Sequence, residues 1–309
     1  MILEGLTNIK KALTTLNPKQ IRELSEQPAR IALHAPDDEA FRKMENFFLQ
    51  DLSPARRRES TLLLMRAADP ARTPSADLEF YDPAMIAPAG AYVFEPDRTH
   101  RLVQKILVKR PELGIPLAKS FVPFRHPFVE RTIAKTAREN ALFSVATALP
   151  DIVPSIIELP WAVAEFASDT AFLTMNQVRM AFVLGAASDR EIGYVEQKAE
   201  LATVIGSAFG WRALARQLVG KIPFGGGLLA KAAVAYAGTK VLGLSLDHYY
   251  RIGFTYTREE RDRIYADAFR QGKKVAAKIL GYLRPDLAAK YAESARENVL
   301  PISSRARNL

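Results

Sequence analysis

The chain of 309 residues contains no cysteine, 4 histidines and 2 tryptophans. The missing thiols exclude disulfides, thiolate nucleophiles and every Cys-ligated metal or cluster, and they fit a reducing cytoplasm. His34, His100, His126 and His248 stand far apart and match no ligand spacing such as His-Glu-x-x-His. No Gly-x-Ser-x-Gly elbow is present, so a Ser, Thr, Lys or carboxylate nucleophile has no local frame. The first residues, Met1 to Leu13, lack the ordered basic, apolar and small-residue regions of a secretion signal. No uncharged stretch approaches the ~20 apolar residues that a spanning helix needs. These gaps lead us to expect a non-enzymatic cytoplasmic protein without metal or cofactor.

What is there is a chain long enough to bury a sizeable core and to form two domains. Its formal net charge of +9 is unevenly placed. Residues 1–97 hold 12 basic against 15 acidic side chains, whereas 98–138 hold 10 against 2. Residues 139–250 are again slightly acidic, at 8 against 10, and 251–309 are basic, at 13 against 7. Two basic blocks therefore flank an apolar region. Such blocks suit an anionic membrane surface, a nucleic acid or simply solvated helix faces. Aromatic interleaving in 98–138 is modest (Phe121, Phe124, Phe128), which ranks nucleic acid last.

The pattern along the chain predicts a mainly α protein: a small N-terminal α/β layer over 1–126, then a helical domain over 127–309. Asn17, Pro18 and Gln20 form a helix start. The runs Arg30 to His34, Thr61 to Met65, Ala91 to Phe94 and Gly114 to Ala118 read as strands, the last demoted to an edge by Pro116. Asp37 or Asp38 is expected to cap a helix carrying Phe41, Met44, Phe48 and Leu49. Asp97 is expected to cap another carrying Leu102, Val103, Ile106 and Leu107. The triplet Arg56 to Arg58 reads as a solvated loop. From about Pro127 only helical periodicity remains: 128–148, about 161–187, 193–218 as one helix or a pair broken near Gly206 and Gly210, and a helix opened by the capping box Thr257 to Glu260. That helix ends at Arg284-Pro285, a short helix follows to about Asn298, and the last residues read as a frayed basic tail.

The stretch from Gly220 to Tyr250 is a packing or membrane seam. Pro223, Gly225, Gly226 and Gly227 stop one helix and open another, built of Ala, Gly and Leu, with Gly238 and Gly243 as small contacts. A span over 222–246 would hold Lys231 and Lys240, and a central lysine costs roughly 2.5–3.5 kcal/mol. Shallow insertion or burial in a helical core is therefore favoured over a span. Gly220 and Gly225 share the frame of a phosphate loop, yet Gly226 and Gly227 stand where Lys and Ser/Thr would meet phosphate and Mg²⁺. The turn Ala35 to Glu39, where a nucleotide-binding layer keeps its glycine loop, holds three acids, best read as a helix N-terminus favoured by its dipole. Asp151, Glu158, Glu165 and Asp169 recur near helical spacing and form a candidate polar stripe for a partner.

Several motifs occur in a fixed order between Ala137 and Tyr265. Ala148-Leu-Pro150 follows an Ala-rich helix, and Asp169 leads to Asn176-Gln-Val-Arg-Met180. Lys221-Ile-Pro-Phe-Gly225 then precedes Ala232 to Leu244, with Thr239 and Gly243, closing on Tyr249-Tyr250. This stretch resembles the uncharacterised helical domain found downstream of bacterial Era-like GTPase domains. The resemblance implies a GTPase partner and membrane association rather than a reaction. If a GTPase layer preceded it, Arg30 to His34 would be its first strand and Lys119 would survive from the guanine motif. Ala118 and Phe121 replace the Asn and Asp that read the base, so the layer is either a decayed nucleotide fold or an unrelated one. The expectation is an interaction protein at the cytoplasmic membrane face, bound to a GTPase or another protein and to anionic lipid. An NTPase-related regulator and a nucleic-acid binder are the alternatives.

Overall fold

The computed structural model describes residues 9, 13–14, 16–67, 75–149, 169–206 and 227–289. The expected helix over 161–168, its neighbour over 207–218, the prolines at 150, 154 and 160 and the basic tail lie outside the described residues. The chain is mainly helical, with a small parallel sheet near the N-terminus.

Local chemistry sets the first elements. Helix α1 (Pro18–Glu26) starts with Pro in its first turn, and the Asn17 side chain accepts the Lys19 N–H at 2.9 Å. Strand β1 (Ile31–His34) is buried along its whole length, as a central parallel strand must be. Asp37 caps α2 (Asp38–Leu49) by accepting the Ala40 N–H at 2.8 Å, with Asp38 and Glu39 in the favourable first turn. Ser53 and Pro54 open α3 (Pro54–Thr61), so Arg56 to Arg58 are helical rather than in a loop. Thr61 consequently ends a helix, and β2 is shortened to Leu64–Arg66.

Strand β3 (Leu78–Tyr81) is an addition to the expected set, and β4 is the short Tyr92–Val93. All pairings are parallel and the order is β2-β1-β3-β4. The register Ile31↔Leu78 and Leu33↔Phe80 puts these four side chains on one face. That face packs on Met44 and Phe48 of α2, on Val103 and Ile106 of α4 (Thr99–Lys109), and on Phe121 and Phe124. The other register, Ala32↔Glu79 and His34↔Tyr81, belongs to the opposite face.

Two expectations fail here for local reasons. Asp97 lies inside a 3₁₀ turn, Pro96–Arg98, and makes no cap; α4 begins without a side-chain cap. The run from Gly114 to Ala118 is not an edge strand but the body of α5 (Gly114–Ser120). Pro116 falls in the first turn, where its missing N–H costs nothing, and a buried site for all five residues favours the element that satisfies its own backbone.

Helix α6 (Val122–Ala146) begins before the expected start and carries Pro127 within it, running through the 126/127 division. Phe124 belongs to the sheet-side core, whereas Val129 and Ile133 belong to the helical one. Helix α7 (Asp169–Ala187), a helical stretch over 198–206, α8 (Gly227–Ile252), α9 (Arg258–Leu283) and a short helical stretch over 285–289 follow. Helix α8 is central, packing on α6, α7 and α9. The Thr257 capping box forms as the sequence predicts, and Arg284 ends α9.

Candidate functional site

Helix α8 is long and apolar enough to cross a membrane by length and composition, yet 61% of its most apolar window is buried among its neighbours. Its small residues have defined partners. A Cβ at Gly243 would lie 2.7 Å from Ile133 Cγ1 of α6, so any larger residue would force that contact to shift. Gly272 of α9, which sequence reasoning missed, would clash in the same way with the Ala233 carbonyl oxygen at 2.9 Å. Gly238 is buried, Gly227 opens the helix, and Lys231 is half-buried. Lys240 is tied across to α9, donating to Gln271 Oε1 at 2.6 Å. Pro223, Gly225 and Gly226 lie outside the described residues, as do Asp151, Glu158 and Glu165. Asp169 is the first residue of α7, and the structure describes only its backbone.

The motif residues of the helical domain meet in the bundle interior. Thr239 Oγ1 accepts from Asn140 Nδ2 at 2.8 Å and from Gln177 Nε2 at 3.0 Å while donating to the Ala235 carbonyl. Asn176 Nδ2 donates to Asn140 Oδ1 at 2.9 Å and to Glu139 at 3.2 Å. Farther along, Gln197 donates to the Tyr250 hydroxyl at 2.9 Å, and burial raises that phenol. The first set clamps α6, α7 and α8 together, and the Gln197 bond ties the turn after α7 to α8; such bonds can fix helix register.

At the sheet, β1 and β3 are the neighbours between which the strand order reverses, and their carboxyl ends are where open α/β sheets hold ligands. Here the last residues of the two strands fill that place. The His34 and Tyr81 rings stack at 4.0 Å and 3°, and both side chains are buried. Glu79 Oε2 accepts from the Tyr81 hydroxyl at 2.9 Å and lies 3.5 Å from His34 Nε2. Burial pushes the tyrosine up to about 12 and pulls the histidine down, with Glu79 opposing the latter. Neither histidine nitrogen makes a hydrogen bond with the described residues. Asp37 and Asp38 follow, committed to the α2 cap and to an ion pair with Arg66. Acidic side chains thus occupy the helix N-terminus at which a phosphate would otherwise sit.

Where the two layers meet, Arg56 of α3 pairs with Asp189 after α7, and Lys119 Nζ lies 3.8 Å from the same carboxylate. Arg22 donates to the Ile192 carbonyl and to Glu196. The cavity of about 420 Å³ among these groups is lined by both signs of charge.

The third location is a groove of about 770 Å³ between α6 and α9. Its apolar lining comes from Pro127, Ala134 and Leu142 on α6 and from Val275 and Ile279 on α9. Arg131, Lys135 and Arg138 stand at helical spacing along α6, and Lys278 faces them from α9. Three cations of the first basic block and one of the second, more than a hundred residues apart in sequence, thus border one groove. Glu130 and Glu139 also line the groove, Glu130 lying 3.5 Å from His126 and Glu139 accepting from Asn176. The charge blocks were visible in the sequence; their convergence was not. Among the described residues no group of three or more His, Asp or Glu is placed to hold a metal ion.

Compared with protein-family models, with curated proteins and with solved structures, the chain matches none of them.

Proposed function

We propose that this chain is a non-enzymatic interaction protein that works on an anionic cytoplasmic membrane face, of the GTPase-associated helical type that its residues 137–265 resemble. One observation carries the reading: the exposed Arg131, Lys135, Arg138 and Lys278 gather round one groove. Basic side chains near an anionic leaflet contribute about 1 kcal/mol each, so four together support peripheral binding without a span. The central burial of α8 fits the same reading, because the apolar helix already has protein partners. Vesicle flotation tests it. The full chain should float with anionic vesicles at low salt, stay behind with neutral ones, and be released by high salt. A protein that remains soluble with both vesicle types ends the reading.

A regulator related to nucleotide-binding proteins is a second reading, favoured by the all-parallel order β2-β1-β3-β4. The stacked His34 and Tyr81 and the acids after β1 weigh against it. A thermal shift with GTP or ATP would revive it, and no response to either would close it.

A further inference from the structure

The α6–α9 groove has more than charge. Its floor is apolar, its volume of about 770 Å³ falls in the range of small-molecule sites, and its cations stand on the rim, three on α6 and one on α9. Among the described residues Arg131, Arg138 and Lys278 form no ion pair, and Lys135 has only Glu139, at 3.9 Å. Glu139 is half-buried and already accepts from Asn176, while Glu130 lies beside His126. Among the described residues the rim therefore carries more positive than negative charge, with Arg131, Arg138 and Lys278 left unpaired. Guanidinium groups on this rim match phosphate oxygens in fork geometry, and the apolar floor between them offers cover to a hydrocarbon chain.

We propose that the groove is a binding site for a single anionic phospholipid, its phosphate held by Arg131, Arg138 and Lys278 and its acyl chain laid along Ala134, Leu142 and Ile279. This rests on the membrane reading but goes further, because surface attraction alone needs no groove. It also sets a direction: a lipid drawn from the leaflet would hold α6 and α9 against the membrane through a defined site rather than a diffuse charge.

The probe is dihexanoyl phosphatidylglycerol below its micelle concentration, titrated into the full chain by calorimetry, beside dihexanoyl phosphatidylcholine and glycerol phosphate. Saturable binding of the phosphatidylglycerol alone is expected. The exposed pair Arg131→Gln and Arg138→Gln should weaken it about tenfold per arginine. Ala134→Trp, which fills the floor and leaves the charge unchanged, should abolish it while the thermal unfolding of the variant stays cooperative. Equal binding of glycerol phosphate, or undiminished binding by a folded Ala134→Trp variant, overturns the site in favour of plain electrostatics. An acidic amphipathic peptide that binds in an Ala134→Trp-sensitive way, with no lipid binding, overturns it in favour of a protein partner. Saturable lipid binding with no vesicle flotation supports the site and removes the membrane reading, so the two failures are distinct.

Discussion

His34 sits at the end of a central strand with its ring buried against Tyr81 and its nitrogens unbonded to the described residues. Burial, opposed by Glu79, places its folded pKa below the ordinary 6.5. Between the folded value and 6.5 the unfolded chain binds more protons than the folded one, so stability rises with pH there. The contribution is whole above 6.5 and is lost as pH falls through the folded value. His34→Phe keeps the stack and removes the titration. Urea unfolding above and below pH 6.5 should show the wild type losing stability relative to this variant on acidification; a constant gap refutes the assignment. Gly243 is a second decisive residue. An added methyl brings about 1 kcal/mol of helix propensity but meets Ile133 at 2.7 Å, and overpacking costs about 1–3 kcal/mol. Gly243→Ala should therefore destabilise, and Ile133→Ala should be less harmful in its presence than alone. A double-mutant cycle measures that coupling, and additivity would show that the close approach is not what selects glycine.

Elements were legible where local chemistry decides them. The Thr257 box, the Asp37 cap and the strand at β1 follow from a few adjacent residues, and each is where the pattern put it. Thr257→Ala should cost about 0.5–2 kcal/mol, measurable in denaturant, with the loss largest at the start of α9 by hydrogen exchange. A uniform loss of protection across α9 would instead mean that the cap supports the whole packing unit. Elements were illegible where burial on all sides removes periodicity. The run Gly114 to Ala118 is apolar throughout, so strand and helix patterns coincide, and burial of all five residues favours the helix, which satisfies its own backbone. Strand β3 was hidden by its outward Glu79, which breaks an otherwise apolar run and yet builds the His34 and Tyr81 cluster. The polar residues inside the bundle were visible only as motif letters; that Asn140, Gln177 and Thr239 bond across three helices is a property of packing.

At the scale of the molecule, charge and packing divide the labour. Helix α8 uses its apolar surface to hold α6 and α9 side by side, and those helices bring cations of both basic blocks to a common groove. The sequence shows the blocks because charge is counted locally, but bringing them together depends on long-range packing through Gly243 and Gly272. If the cations of the groove, rather than the net charge of +9, draw the protein to a membrane, position must matter as well as number. Removing Arg131, Lys135 and Lys278 together by Gln substitution should cost about 3 kcal/mol of anionic-vesicle affinity, roughly a hundredfold. The same change of charge at Lys19, Lys43 and Lys198, which are exposed and do not line the groove, should cost much less at physiological salt, where fields fade within about 8 Å. Equal losses in the two triple variants would mean that the whole molecule is attracted without orientation, and α6 and α9 would then have no special role at the surface.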